Sequence, residues 1–167
     1  MHDDERTASG VSRQHLRALR TVCDALVDSD VVWVVTGSTA FALRGMPVSP
    51  RDIDLQTDRS GAYEIERRLR QFVVRPVAFS TSERIRSHFG ELKIEGVQVE
   101  IMGDIEKRRS DGSWEPSPDL GAYMELVAAE DMNVPVLSLG YEAEAYEKLG
   151  RTERARMLRE WSRRTSS

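Results

Sequence analysis

Two short groups of residues between positions 31 and 55 carry the chemistry of this sequence. An apolar run, VVWVV, ends in Thr36-Gly37-Ser38, and after a spacer comes Asp52-Ile53-Asp54-Leu55. A glycine-serine turn that opens a helix presents free backbone N–H groups to a phosphate. Two carboxylates one residue apart on a strand project from the same face. Together they suit a metal-bound nucleoside triphosphate. Two carboxylates about 4 Å apart repel by roughly 4 kcal/mol at an effective dielectric of ~20, a penalty that a divalent cation removes. Mg²⁺ prefers hard oxygen ligands and keeps part of its shell for phosphate and water. Glu100 stands at the right alternation on a later strand to supply a third carboxylate for a second ion, or to act as general base. The same residues also have plainer readings: Asp52 as a turn cap, Asp54 and Glu100 as solvated strand residues, and Ser38 as a helix N-cap.

The elements that must position these groups follow from periodicity. Leu16, Leu19, Val22, Cys23, Leu26 and Val27 recur at helical spacing over 12–27. Residues 31–35 read as a strand too apolar to lie at an edge. A short helix over 38–43 stops at Arg44-Gly45-Met46-Pro47. In the strand 53–56, Ile53 and Leu55 face the core, whereas Asp52 and Asp54 face away. A helix over 61–72 and a strand over 75–79 follow. Alternation around Glu95-Gly96 predicts a β-hairpin, 89–94 paired with 97–102, with Gln98 and Glu100 on one face and Val97, Val99 and Ile101 on the other. A polar loop spans 108–118 with Trp114 as its anchor, 122–128 reads as a strand or short helix, and 134–138 as an apolar link. Helices close the sequence at 141–149 and 152–161. This order predicts an α/β (α+β) fold, a mixed sheet covered on one face and flanked by helices.

The pattern Gly37-Ser38, Asp52-Ile53-Asp54 and a distal acidic residue resembles the nucleotidyltransferase superfamily. The words TGSTAFALRG and RDIDL are similar to those of small stand-alone members. These include lincosamide and aminoglycoside nucleotidyltransferases and abortive-infection and minimal toxin–antitoxin nucleotidyltransferases. The resemblance spans about residues 31–105. It implies metal ligation by Asp52, Asp54 and Glu100, phosphate contact by Gly37 and Ser38, and Mg²⁺, or Mn²⁺ in its place, as cofactor. VPVLSLGYEAEAYEKLGR resembles a segment in which relatives place a helix bearing a lysine and then Gly-Arg, which implies that Lys148 and Arg151 reach a triphosphate or an acceptor. Where many relatives continue with Lys-Asp, this sequence has Glu153-Arg154. Arg44 and Arg51, beside the motif, are further candidates for the nucleotide.

Composition bounds the rest. A chain of 167 residues with 40% hydrophobic content suits one domain with a core. The expected organisation is a flexible N-terminus at 1–10, a nucleotidyltransferase-like domain over 11–138, helices packed on it over 139–163, and a flexible tail at 164–167. A formal net charge of -4 disfavours polyanions as general partners. The single cysteine, Cys23, excludes an internal disulfide and fits a reducing cytosol. MHDDERTASG lacks the basic and apolar segments of a secretory signal. No apolar run approaches the ~20 residues needed to cross a bilayer, so no membrane partner is expected. His15 and His88 read as surface residues, Arg67, Arg68 and Arg70 as a solvated helix face, Trp33 and Phe41 as core, and Tyr141 and Tyr146 as helix packing. The expected reaction transfers a nucleoside monophosphate from a triphosphate to an unidentified acceptor (a small molecule, tRNA or protein) with release of pyrophosphate. The alternative is a non-catalytic or antitoxin-like module that keeps the fold to bind nucleotide or a protein partner.

Overall fold

The computed structural model describes residues 10–165. The expected flexible ends fall mostly outside these, at 1–9 and 166–167. Helix α1 (Arg13–Leu26) is capped by Ser12, whose hydroxyl accepts from the His15 N–H at 3.1 Å. It buries Leu16, Leu19, Val22 and Leu26 against the sheet. Helix α3 (Arg59–Arg68) starts in the same way, with Asp58 accepting from the Gly61 N–H at 2.7 Å. Its outer arginines Arg67 and Arg68 pair with Glu64. His15, expected at the surface, is instead only 7% exposed, because it lies at the first turn of α1 where the helix meets the chain leading to Asp52; burial lowers its imidazole pKa.

The strands are β1 (Trp33–Thr36), β2 (Ile53–Thr57), β3 (Val73–Thr81), β4 (Ile85–Ile94), β5 (Val97–Arg108), β6 (Trp114–Glu115), β7 (Met124–Ala129) and β8 (Met132–Leu137). They form one mixed sheet of order β3-β4-β5-β2-β1-β8-β7, with β6 on the end of β5. Of the expected link at 134–138, residues 134–137 are in fact part of β8 and Ser138 caps the helix that follows. Strand β8 runs parallel to β1, with Val35 opposite Val136, and pairs antiparallel with β7 along its length. Pro135, which lacks a donor N–H, stands opposite Leu126 of β7.

One face of the sheet packs on α1 and α3 through Val35, Ile53, Leu55, Val99, Ile101 and Val136. Cover is not confined to that face. Helix α2 (Gly37–Leu43), α4 (Leu139–Lys148) and α5 (Thr152–Thr165) meet in a second cluster of Phe41, Leu139, Ala143, Ala155 and Leu158. Val34 and Leu137 are buried on the opposite face, beside Leu120 and Tyr141 of α4. The β1–β8 end is therefore covered on both sides. Among the described residues no helix is long and apolar enough to cross a membrane.

Helix α3 approaches β5 closely at Gly103, where a Cβ would lie 2.7 Å from the Asp58 carbonyl oxygen and 2.8 Å from the Ala62 Cβ. Gly103→Ala should therefore cost about 1–3 kcal/mol, as overpacked cores do. Urea denaturation measures it, and an unchanged midpoint would contradict the close packing.

Candidate active site

Strand register places the acidic groups. Thr36 of β1 lies opposite Asp54 of β2, and Asp54 lies opposite Glu100 of the parallel strand β5. Ile53, Leu55, Val99 and Ile101 are fully buried on the helix-covered face, so strand alternation turns Asp54 and Glu100 to the other side. Their carboxyl groups therefore stand side by side. Burial, then the charges of Glu100 and Asp52, push the Asp54 carboxyl up to about 7. The Gln98 amide donates to Glu100 at 2.9 Å and to Glu91, the next residue in the row on β4, at 3.2 Å. Asp52 just precedes β2, and its carbonyl accepts from the Thr39 hydroxyl at 2.7 Å.

The Gly37-Ser38 turn lies against this pair. Gly37 has φ +72°, and a Cβ there would sit 3.0 Å from Asp54 Oδ2; only glycine combines that backbone with that contact. Its N–H does not point to open space as the phosphate-cradle reading expects. It donates to the Glu142 carboxylate of α4, at 3.2 and 3.4 Å. Glu142 is 5% exposed. Burial pushes its carboxyl up to about 8, opposed by the Gly37 hydrogen bond and the Arg44 charge.

Ser38 lines a cavity of about 450 Å³ with Val48, Ser49, Arg51, Asp52, Asp54 and Arg154. A larger one of about 730 Å³, which includes Arg151 and Met157, shares Val48 and Arg154 with it. The Arg154 guanidinium lies 5.8 Å from both the Phe41 and Tyr146 ring centres, and that of Arg151 lies 4.9 Å over Tyr146. Among the described residues, the guanidiniums of Arg51, Arg151 and Arg154 make no hydrogen bond or ion pair.

The structure thus brings Ser38, Arg51, Asp52 and Asp54 around one cavity, with Glu100 beside Asp54 on its sheet side. Two predicted nucleotide contacts are engaged elsewhere. Arg44 bonds Glu125 at 2.7 Å and the Leu137 carbonyl at 3.2 Å. Lys148 pairs with Glu115 at 3.0 Å and Glu144 at 3.5 Å. Sequence reasoning missed Glu142 and Arg154. The available signal was helical phase: Glu142 shares a face with Leu139, Ala143 and Tyr146, and Arg154 shares one with Leu158 and Trp161.

Asp52, Asp54 and Glu100 offer hard oxygen donors that form no ion pair among the described residues, which fits Mg²⁺ or Mn²⁺. Among the described residues, no group of three or more His, Cys, Asp or Glu side chains is already drawn together tightly enough to hold a metal ion.

The sequence profile of the aminoglycoside-2''-adenylyltransferase family matches residues 18–163. A crystal structure from Thermotoga maritima, provisionally described as a nucleotidyltransferase, is 52% identical; the match covers 98% of this chain and 99% of that one, with a TM-score of 0.82. The lincosamide antibiotic adenylyltransferase LnuA, crystallised with lincomycin, matches over 89% of this chain and 99% of its own at 15% identity and TM-score 0.55. ANT(2'')-Ia, in complex with adenylyl-2''-tobramycin, matches over 93% and 99% at 12% identity and TM-score 0.53. These last two share the fold. The comparison with curated proteins returned no match.

The raised carboxyls have a consequence for stability. Asp54 faces Glu100, Asp52 and Glu142, and Glu142 faces Arg44 and Arg154. In the folded chain both carboxyls hold protons that an unfolded chain releases near pH 4, so their contribution is complete below about pH 4 and is lost as pH rises through their folded values. In metal-free buffer the melting temperature should fall from about pH 5 to about pH 8.5, and Asp54→Asn should flatten that slope. A wild-type melting temperature that rises over this range would contradict the assignment.

Proposed function

The chain is a nucleotidyltransferase of the aminoglycoside-2''-adenylyltransferase family, and from that premise we propose that it moves a nucleoside monophosphate from a triphosphate to a hydroxyl of a small-molecule acceptor, with a divalent cation required. One observation carries the reading: Asp54, in register with Glu100 on the adjacent strand, lines a cavity together with Ser38, Arg51 and Arg154. Carboxyl groups and guanidiniums lining one cavity match the two needs of a cation–triphosphate complex.

In this reading the triphosphate enters from the α5 side. Ser38 donates to a phosphate oxygen, and Arg51 and Arg154 pair with the charge at the distal end. Arg154 takes the part that the resemblance gave to Lys148. Guanidiniums form planar, directional hydrogen bonds with phosphate, and stacking on Phe41 and Tyr146 limits the freedom that Arg154 loses on binding. Asp52, Asp54 and Glu100 would hold Mg²⁺, which when bound neutralises phosphate charge and acidifies the attacking hydroxyl. The acceptor approaches over the sheet side, where Glu100 accepts the hydroxyl proton. The acceptor oxygen bonds to the α-phosphorus as the bond to pyrophosphate breaks, and pyrophosphate leaves with that electron pair. Positioning and charge do most of this work.

The acceptor class follows from charge. Glu91 and Glu100 stand in one row on the approach to Asp54, and the net charge is -4. A polyanion such as tRNA is disfavoured there; a small neutral or cationic polyol or amino sugar is favoured. The small-molecule antibiotics named with the ANT(2'')-Ia and LnuA structures belong to this class.

Pyrophosphate release from ATP with Mg²⁺, measured over a panel of hydroxylated acceptors, tests the reaction. Asp54→Asn should lower the rate by about 1,000-fold with the fold retained, as loss of a central electrostatic group does. Arg154→Ala should raise the KM for ATP by about 10- to 100-fold, the worth of one charge-assisted contact. ATP binding with no pyrophosphate release on any acceptor would overturn the reading in favour of a non-catalytic module.

A further inference from the structure

The surroundings of Glu142 pose a physical question. Its carboxyl group is taken out of water inside the α2–α4 contact, and a buried carboxyl without a close cation is expensive. Packing does not ask for it: Leu139, Ala143 and Tyr146, its neighbours on the same helical face, join the Phe41 cluster, where an apolar side chain would fit at lower cost. Arg44 and Arg154 contribute charge, but the hydrogen bonds of Arg44 go to Glu125 and the Leu137 carbonyl, and Arg154 makes none with Glu142. Among the described residues, the one donor to the Glu142 carboxyl is the Gly37 N–H.

Gly37 in turn abuts Asp54, since its Cα carries no substituent where a Cβ would reach to 3.0 Å from Oδ2. Glu142, Gly37 and Asp54 therefore form a continuous line of contact from α4 to the acidic row. Glu142 lines neither the 450 Å³ nor the 730 Å³ cavity, so it acts through Gly37 and not on a reactant.

We propose that Glu142 is a positioning residue: by holding the Gly37 N–H it fixes the turn against which the Asp54 carboxylate is aimed, so that docking of α4 sets the geometry of the catalytic acids. The inference rests on the nucleotidyltransferase reading of the site. Small displacements of a reacting geometry are costly, about 100-fold for 1 Å, so the effect should appear in turnover and cation affinity before it appears in folding.

Glu142→Gln keeps an acceptor oxygen at the same reach. Glu142→Met fills the space without one, and Glu142→Ala serves as a second acceptor-free variant should Met not be accommodated. Three measurements on the full chain separate the outcomes: melting temperature, Mn²⁺ affinity by electron paramagnetic resonance, and the kcat and KM of pyrophosphate release. The expected pattern for Glu142→Met is a melting temperature equal to or above wild type, Mn²⁺ affinity weakened about tenfold, kcat lowered about 10- to 100-fold, and KM for ATP within about threefold. Glu142→Gln should keep Mn²⁺ affinity and kcat within about threefold of wild type. A folded Met or Ala variant with wild-type Mn²⁺ affinity and kcat would overturn the inference, as would a loss that tracks only the melting temperature. A wild-type chain that neither binds Mn²⁺ nor releases pyrophosphate would refute the underlying reading, a result distinct from either.

Discussion

Mutual repulsion among carboxyl groups is the constraint around which this molecule is arranged. Register on two parallel strands puts Asp54 directly beside Glu100, and Asp52 adds its charge from just before β2. Nothing among the described residues neutralises them by direct ion pairing, and the pair is partly withdrawn from water. The rest of the fold holds these groups where they would not settle alone: two helices bury the reverse face of both strands, Thr39 fastens the chain at Asp52, and Gln98 tethers Glu100 to Glu91. A site strained in this way is poised to take up positive charge.

That arrangement gives the two sides of Asp54 different characters. Toward α5 lie the guanidiniums of Arg151 and Arg154, which make no hydrogen bond among the described residues and lie over aromatic rings. Toward β4 the sheet presents further acid. An elongated ligand with a polyanionic end would therefore orient itself, its charged end toward the helices and its reacting centre over the acids. The site selects direction as well as charge.

Much of this was legible in the sequence because it depends on local rules. Strand alternation alone placed Ile53 and Leu55 inside and Asp54 outside, and the Glu95-Gly96 turn fixed which face Glu100 would share. What escaped notice depends on contacts between distant segments. Strand β8 looked like a link because Pro135 interrupts a short run, and its pairing with β1 has no local signature. Glu142 drew no reading, and Arg154 drew one only as a departure from the relatives' Lys-Asp, because helices rich in Glu and Arg carry no local sign of which charge the packing of α4 and α5 on α2 turns inward. Arg44 was placed by proximity in sequence and Lys148 by resemblance of the C-terminal segment, but acids on β7 and β6, Glu125 and Glu115, hold them elsewhere.

The late arrival of β8 also bears on how the chain reaches its native state. Strand β1 sits in the middle of the sheet, yet the neighbour on one flank, at Val136, lies about a hundred residues downstream of Val35, and loops of that length close slowly. During synthesis, the segment bearing the glycine-serine turn must wait, with one strand edge unsatisfied, until the region up to Leu137 has emerged from the ribosome. Chaperone dependence and aggregation of truncated products should concentrate in that interval.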